Sequence, residues 1–285
     1  MKNEFIKIKQ QVDDAISLAF SECEINNSHL IEPMKYAVLA PGKRIRGVLT
    51  LYLCKQLSVP KEQAMPFAVA LEMIHAYSLV HDDLPEMDND DFRRGLPTCH
   101  KKFGHATALL AGDGILNYTV EYLLSCREKY EPETFLNAMS VLFSASGALG
   151  MLDGQAIDKI GESCKLSLDE LLELHQRKTG ALLLAPARIA EALANKKVEN
   201  YVNYCRRIGL AFQIRDDILD VEGNTQLLGK EVGKDALESK STFPSILGLP
   251  EAKVYLENEL KLAKSSVQDD AFLLWIADYI GSRNQ

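Results

Sequence analysis

The sequence is short of several features, and each shortage removes a class of function. Its six cysteines (Cys23, Cys54, Cys99, Cys126, Cys164, Cys205) form no CxxC pair. Neither a zinc ribbon nor a disulfide frame is therefore expected, and the pattern fits reduced thiols in a cytoplasmic protein. Positive charge is in deficit, with 32 Lys+Arg against 40 Asp+Glu and a formal net charge of −8. A general nucleic-acid binder needs a basic face to gain from counterion release, so that class is set aside. The N-terminal MKNEFIKIKQQVDD lacks the apolar centre of a signal peptide, and no run of about 18 apolar residues marks a membrane span. The terminal SRNQ is not a prenylation motif. Ser-His-Asp arrangements, Walker glycine loops and nucleotide fingerprints are missing too.

What is present is a chain of 285 residues, 47% hydrophobic and 25% charged, able to bury a substantial core. Apolar residues at helical spacing, from Ile8 through Val12, Ile16 and Phe20, make the first twenty residues an amphipathic helix. Helices are also expected over 48–57, 64–81, 105–126, 133–151, 168–185 and 198–219, with shorter ones over 243–248, 250–264 and 269–281. No segment alternates convincingly with period two, so the fold class is all-α. Neither the Pro41-Gly42 turn nor the polar stretch 222–242 reads as a domain linker. A single domain over 1–285 is expected, with the second stretch serving as a lid or binding loop.

Two acidic motifs dominate the chemistry. Asp82 to Asp91 reads DDLPEMDNDD, and Pro85 is expected to end the preceding helix near Asp83. Carboxylates there oppose the negative end of the helix dipole, and two charges about 4 Å apart repel by roughly 4 kcal/mol at a dielectric near 20. Such a run is either solvated or neutralised by bound cations. In the feeding helix His75, Ser78 and Asp82 share one face amid apolar neighbours, as a cavity wall would. The second motif is Asp216-Asp217-Ile218-Leu219-Asp220. Asp216 and Asp220 lie on one helical face, with Gln213 one turn earlier. An ion pair with Arg215 or another basic residue is its plainer explanation.

Taken together, two oxygen-only clusters suit a hard cation. Mg²⁺ takes one or two carboxylates and completes its shell with water and phosphate oxygens, so a phosphate or diphosphate ligand between two facing helices is expected. The cationic groups for such an anion are Lys43, Arg44 and Arg46, then Arg93 and Arg94, then Lys178-Thr179-Gly180, with Lys230, Lys234 and Lys240 in or beside the long loop. Each cluster alone is an ordinary solvated surface; the conjunction is the signal. Asp113 and the segment Gln155-Ala156-Ile157-Asp158 read as polar helix-packing groups, and His100 and His105 receive no role.

The chain resembles the short-chain trans-isoprenyl diphosphate synthases, most closely the bacterial farnesyl diphosphate synthases. The resemblance rests on Gly42-Lys43-Arg44-Ile45-Arg46, DDxxxxD at Asp82, Asp83 and Asp88, and RRG at Arg93 to Gly95. It continues through KTG at Lys178 to Gly180, FQxxDDxxD from Phe212 to Asp220, and Gly229-Lys230. It implies about ten main helices around a central pocket, usually in a dimer. It further implies three Mg²⁺ ions, with Mn²⁺ as a substitute, held by Asp82, Asp83, Asp88 and Asp216, with Asp217 and Asp220 in support. Arg93, Lys178, Thr179, Gln213 and Lys240 would hold the allylic diphosphate, dimethylallyl or geranyl. Lys43, Arg46, His75 and Arg94 would hold isopentenyl diphosphate, and Lys230 would belong to a mobile loop.

The helix before the first motif bears on product length. Tyr77 and Ser78 lie roughly 6–7.5 Å from Asp82 along the axis, deep enough for an aromatic floor limiting the product to about fifteen carbons. On the helical wheel Ser78 sits directly below Asp82 and Tyr77 to the side. Two departures from the family pattern stand out: Pro41 and Gly47 flank the first basic motif where Gly and Pro are common, and Asp153 precedes Gly154. Competing readings are a geranyl or geranylgeranyl synthase, an HD-type metal phosphohydrolase suggested by His81-Asp82, and a non-catalytic partner subunit. The phosphohydrolase leaves the second motif without a purpose, and partner subunits usually lose acidic motifs that are intact here.

Overall fold

The computed structural model describes residues 1–161, 164–222 and 240–283. These residues are almost entirely helical, with a single two-residue hairpin pairing Phe92-Arg93 (β1) with Leu96-Pro97 (β2). The helices are α1 (Lys2–Ser21), α2 (Ser28–Val38), α3 (Ile45–Gln56), α4 (Lys61–Asp82), α5 (Cys99–Phe103), α6 (His105–Ser125), α7 (Pro132–Ser146) and α8 (Met151–Gly161). They continue as α9 (Leu168–His175), α10 (Ala181–Ala194), α11 (Glu199–Glu222), α12 (Phe243–Leu247), α13 (Leu249–Ser265) and α14 (Ala271–Gly281). By its contacts the chain divides into two compact units, one of residues 3–139 and 189–195, the other of 1–2, 140–188 and 196–285.

In the first unit α4 is the central element. It is buried along most of its length, from Ala64 through Phe67, Leu71 and Ile74 to Val80, as a predominantly apolar helix must be. It packs on α3 and α6. The approach of α6 depends on Gly112, where a Cβ would stand 2.1 Å from His81 Nε2. His81 instead reaches over that glycine to the Leu109 carbonyl at 3.1 Å. The last turn of α4, which leads into the first acidic motif, is thereby held by α6.

The second unit is organised by α11. Its apolar face, with Leu210, Ala211, Ile214 and Ile218, packs on Leu171, Phe243, Ala252 and Leu256. Between α9 and α10 the chain does not run as one helix over 168–185. A π-helical turn, Gln176–Gly180, interrupts it, and such turns recur at functional sites. The cause lies in close packing: a Cβ on Gly154 of α8 would stand 2.2 Å from the Lys178 backbone nitrogen, and one on Gly209 of α11 would stand 3.1 Å from Gly180 Cα.

The expected helix over 133–151 also ends early, and Gly147 to Gly150 form a turn before α8. The stretch Pro132–Gly161 is apolar enough by composition alone to resemble a membrane span, but it is two helices, α7 and α8, separated by that turn.

Candidate active site

In the first unit, α4 ends with Asp83 as its C-cap, as Pro85 implied. The chain then folds back, and Asp88 N–H donates to the Asp82 carbonyl at 2.8 Å while Asn89, with φ of 49°, donates to the Leu84 carbonyl at 3.1 Å. The three predicted ligands Asp82, Asp83 and Asp88 thus belong to one tight turn at a helix end. Asp83 is only 3% exposed. Its Oδ1 accepts from Arg93 Nε at 2.6 Å, and Arg93 Nη2 donates to Asp90 Oδ2 at 3.0 Å. Burial pushes the Asp83 carboxyl up to about 6; Arg93 opposes the rise and the charges of Asp90 and Asp88 add to it.

The last two acidic residues of the run have protein partners. Asp90 holds Arg93, and Asp91 pairs with Lys101 at 2.8 Å. The reason is the β1–β2 hairpin, pinned by Thr98, whose hydroxyl donates to the Asp90 carbonyl at 2.7 Å.

Cations crowd the neighbouring part of this unit. Burial, then the positive charges of Arg46, Arg94, Arg93 and Arg44, hold the His75 imidazole well below its usual range. Burial and like charge both disfavour the imidazolium, so the ring is kept neutral here. Arg94 (φ 54°) lies against the Pro41-Gly42 turn, where a Cβ on Gly42 would come within 2.7 Å of its Nη1. Arg44, grouped with Lys43 and Arg46 by sequence, has a different task. It is buried and donates to Asp13 Oδ1 at 2.8 Å, to the Val38 carbonyl at 2.9 Å and to the Ala40 carbonyl at 3.1 Å. It braces the turn that presents Lys43.

Tyr77 is buried, with its ring edge-on to His81 at 5.8 Å. The Ser78 hydroxyl donates to the His75 carbonyl at 3.0 Å. Of this pair, the aromatic ring is the group with the bulk to close a cavity. His100 is buried with its Nδ1 3.1 Å from the Thr98 hydroxyl, and Asp113 lies 3.7 Å from His81 Nε2.

In the second unit the π turn presents KTG between two helices. Lys178 Nζ pairs with Asp158 of α8 at 2.5 Å, and the Thr179 hydroxyl donates to Gln213 Oε1 of α11 at 2.9 Å. Asp158, read from sequence as a helix-packing group, is thus the counter-ion of a site lysine. The available signal was the Gly154/Asp158 pair one turn apart: a bare patch with a carboxylate beside it. The unusual Asp153 forms an ion pair with Arg177 of the same turn. Asp216 pairs with Arg283, whose guanidinium lies 3.9 Å from the centre of the Phe212 ring. Arg215, the simplest partner by sequence, instead donates to the Arg283 carbonyl at 2.8 Å. Asp217 and Asp220 are both buried. Lys240 lies just before α12, whereas Lys230 and Lys234 fall outside the described residues.

Among the described residues, no group of three or more His, Cys, Asp or Glu side chains gathers as a preformed cage. That is compatible with Mg²⁺, which draws one or two carboxylates from protein and the rest of its shell from water and phosphate. The carboxylate-only donors of the two acidic motifs fit such an ion.

Comparison with known proteins agrees over the whole chain. Residues 27–272 match the polyprenyl synthetase family. The farnesyl diphosphate synthase of Geobacillus stearothermophilus is 41% identical over 285 residues, covering 97% of this chain and 95% of the relative. Among solved structures, the geranyltransferase of Legionella pneumophila aligns with a TM-score of 0.88 at 31% identity, over 99% of this chain and 97% of its own. A geranyltransferase of Helicobacter pylori, complexed with magnesium and isoprenyl diphosphate, aligns with a TM-score of 0.84 at 28% identity, over 97% and 94% respectively. With both acidic motifs, RRG and KTG in place, the chain belongs to the polyprenyl synthetase family.

Proposed function

We propose that the chain is a Mg²⁺-dependent trans-prenyltransferase that joins isopentenyl diphosphate to dimethylallyl and then geranyl diphosphate, giving farnesyl diphosphate. The observation that carries this is the end-to-end similarity to farnesyl diphosphate synthases, with both acidic motifs retained. Asp82, Asp83, Asp88, Asp216 and Asp220 would hold Mg²⁺, three ions per allylic diphosphate, with Mn²⁺ able to replace it. Bound there, the metal neutralises charge developing on the leaving diphosphate.

The chain's own groups do the rest. Arg93, Lys178, Thr179, Gln213 and Lys240 bind and orient the allylic diphosphate, with Lys230 in the same role. The donors that neutralise its charge are fixed before reaction by Asp83, Asp90, Asp158 and Asp217, and preorganisation of that kind is the largest catalytic term in charge-separating reactions. Lys43, Arg46, His75 and Arg94 hold the diphosphate of isopentenyl diphosphate. The allylic C–O bond breaks with its electron pair going to the diphosphate. The isopentenyl double bond then attacks the allylic carbon, and a proton leaves the new cation for the released diphosphate. No protein general base is required.

The family match runs through both units, and 1–285 is read as one functional domain acting as a homodimer. All six cysteines are free thiols, which supports a cytoplasmic location. Incubation with Mg²⁺ and the two five-carbon diphosphates, followed by chromatography, should give a fifteen-carbon product. Absence of any product above five carbons overturns the reading, and free phosphate released without isopentenyl diphosphate would favour a phosphohydrolase.

A further inference from the structure

Two buried residues of the second unit, His175 and Phe243, have no role in the steps above. His175, the last residue of α9, is buried and stacks on Phe243 with ring centroids 5.7 Å apart and planes 16° apart. Its Nε2 lies 3.5 Å from Asp217 Oδ2. The same oxygen accepts from the Phe243 backbone N–H at 3.0 Å, and Oδ1 accepts from Gln213 Nε2 at 3.0 Å. Gln213 in turn takes the Thr179 hydroxyl, at 2.9 Å.

The chemistry at this point is specific. Asp217 is 3% exposed, and both its oxygens receive donors from its own chain. A buried carboxylate is expensive unless such donors surround it, and it can accept about four hydrogen bonds. Neither ring nitrogen of His175 has a hydrogen-bond partner. A shift of roughly 0.6 Å would bring Nε2 to the ordinary 2.9 Å bonding distance. His175 is therefore placed to give Asp217 a third donor.

Three segments meet here, each adjacent in sequence to groups assigned to the allylic diphosphate. His175 leads directly into the π turn with Lys178 and Thr179. Asp217 follows Asp216, and Phe243 stands three residues after Lys240. We propose that His175 is a positioning residue: through Asp217 and Phe243 it locks the KTG turn, the second acidic motif and the Lys240 segment into one register, and Asp217 serves as the pin of that lock rather than as a metal ligand. This inference rests on the assignment of Asp216, Lys178 and Thr179 to the allylic diphosphate.

The test is calorimetric titration of the full-length chain with inorganic pyrophosphate in the presence of Mg²⁺, paired with steady-state kinetics in which each substrate is varied. His175→Phe keeps the volume and the stacking but removes both nitrogens. It should weaken pyrophosphate binding about tenfold and raise the allylic KM to match, leaving the isopentenyl KM within about twofold. His175→Gln, which restores a donor, should recover most of the loss. Should the Phe variant not fold, His175→Asn, polar but too short to reach Asp217, should show the same selective loss. Wild-type pyrophosphate affinity in the Phe variant, or in Asn if Phe fails to fold, overturns the proposal, as does an equal loss for both substrates. Asp216→Asn serves as the reference. If Asp216→Asn leaves pyrophosphate binding unchanged, the diphosphate assignment itself fails; if it weakens binding while the His175 variants do not, the failure is confined to His175.

Discussion

Asp83 shows what a single residue gives up for this site. Its carboxyl is pushed from 3.8 up to about 6, chiefly by burial, a deficit of roughly 3 kcal/mol at 1.36 per unit. The native pKa lies above the unfolded one, so the native state keeps a proton that the unfolded chain releases between pH 3.8 and about 6. Stability of the metal-free protein is thus undiminished below that window and lost as pH rises through it. Asp83→Asn should raise the metal-free Tm by several degrees at pH 7.5 and by about a third as much at pH 4.5, inside the window, while removing activity. Equal Tm changes at both pH values would rule out Asp83 as the source. Tyr77 yields a second residue-scale outcome: Tyr77→Ala should lengthen the product beyond fifteen carbons, and an unchanged product would dismiss the ring as a floor. At this scale the sequence disclosed the charged residues that recur in spaced motifs. It did not disclose Asp158 or His175, because these act through contacts about 20 to 40 positions away in the chain, Lys178 to Asp158 and His175 to Asp217, nor the role of Arg44, which depends on Asp13, 31 positions away, and on how the chain turns at Val38 and Ala40.

Helices carried by apolar periodicity were legible, α4 and α11 above all. Those missed are α2, which contains Pro33, the five-residue α5, α8, where Gly154 and Gly161 dilute the pattern, and most of α10, which contains Pro186. The π turn was not legible, since what marks it is the close approach of Gly154 and Gly209, which lie well away from it in the chain. The start of α3 turns a family departure into a testable element. Gly47 N–H donates to the buried Glu72 Oε1 at 2.8 Å, and a Cβ at this position would stand 2.9 Å from Val12 Cγ1. Gly47→Pro restores the residue common in the family, yet here it removes the donor and crowds Val12. Leaving a buried acceptor unpaired costs about 1–3 kcal/mol, more than the roughly 0.4–1 kcal/mol gained by stiffening the unfolded chain. The urea midpoint of Gly47→Pro should therefore fall. A rise would mean that Glu72 finds another donor and that Val12 yields.

For the whole molecule, the family was legible from motif order alone, but assembly was not, because it depends on which apolar side chains folding leaves outside. In the first unit α6 exposes Leu109, Leu110 at 59% and Leu124, and α7 exposes Leu136 at 64%. Large apolar residues left exposed on consecutive helices are candidates for an interaction surface. The partner proposed is a second copy of the chain, since a two-fold axis lets one patch cover itself. Wild-type protein should then sediment near twice 31.7 kDa, about 63 kDa. Leu110→Glu places a charge in that patch without touching the core, so it should shift the population towards 31.7 kDa with little change in the far-ultraviolet spectrum. If the wild type already sediments as a monomer at micromolar concentration, or if Leu110→Glu stays fully dimeric, this face is not the interface.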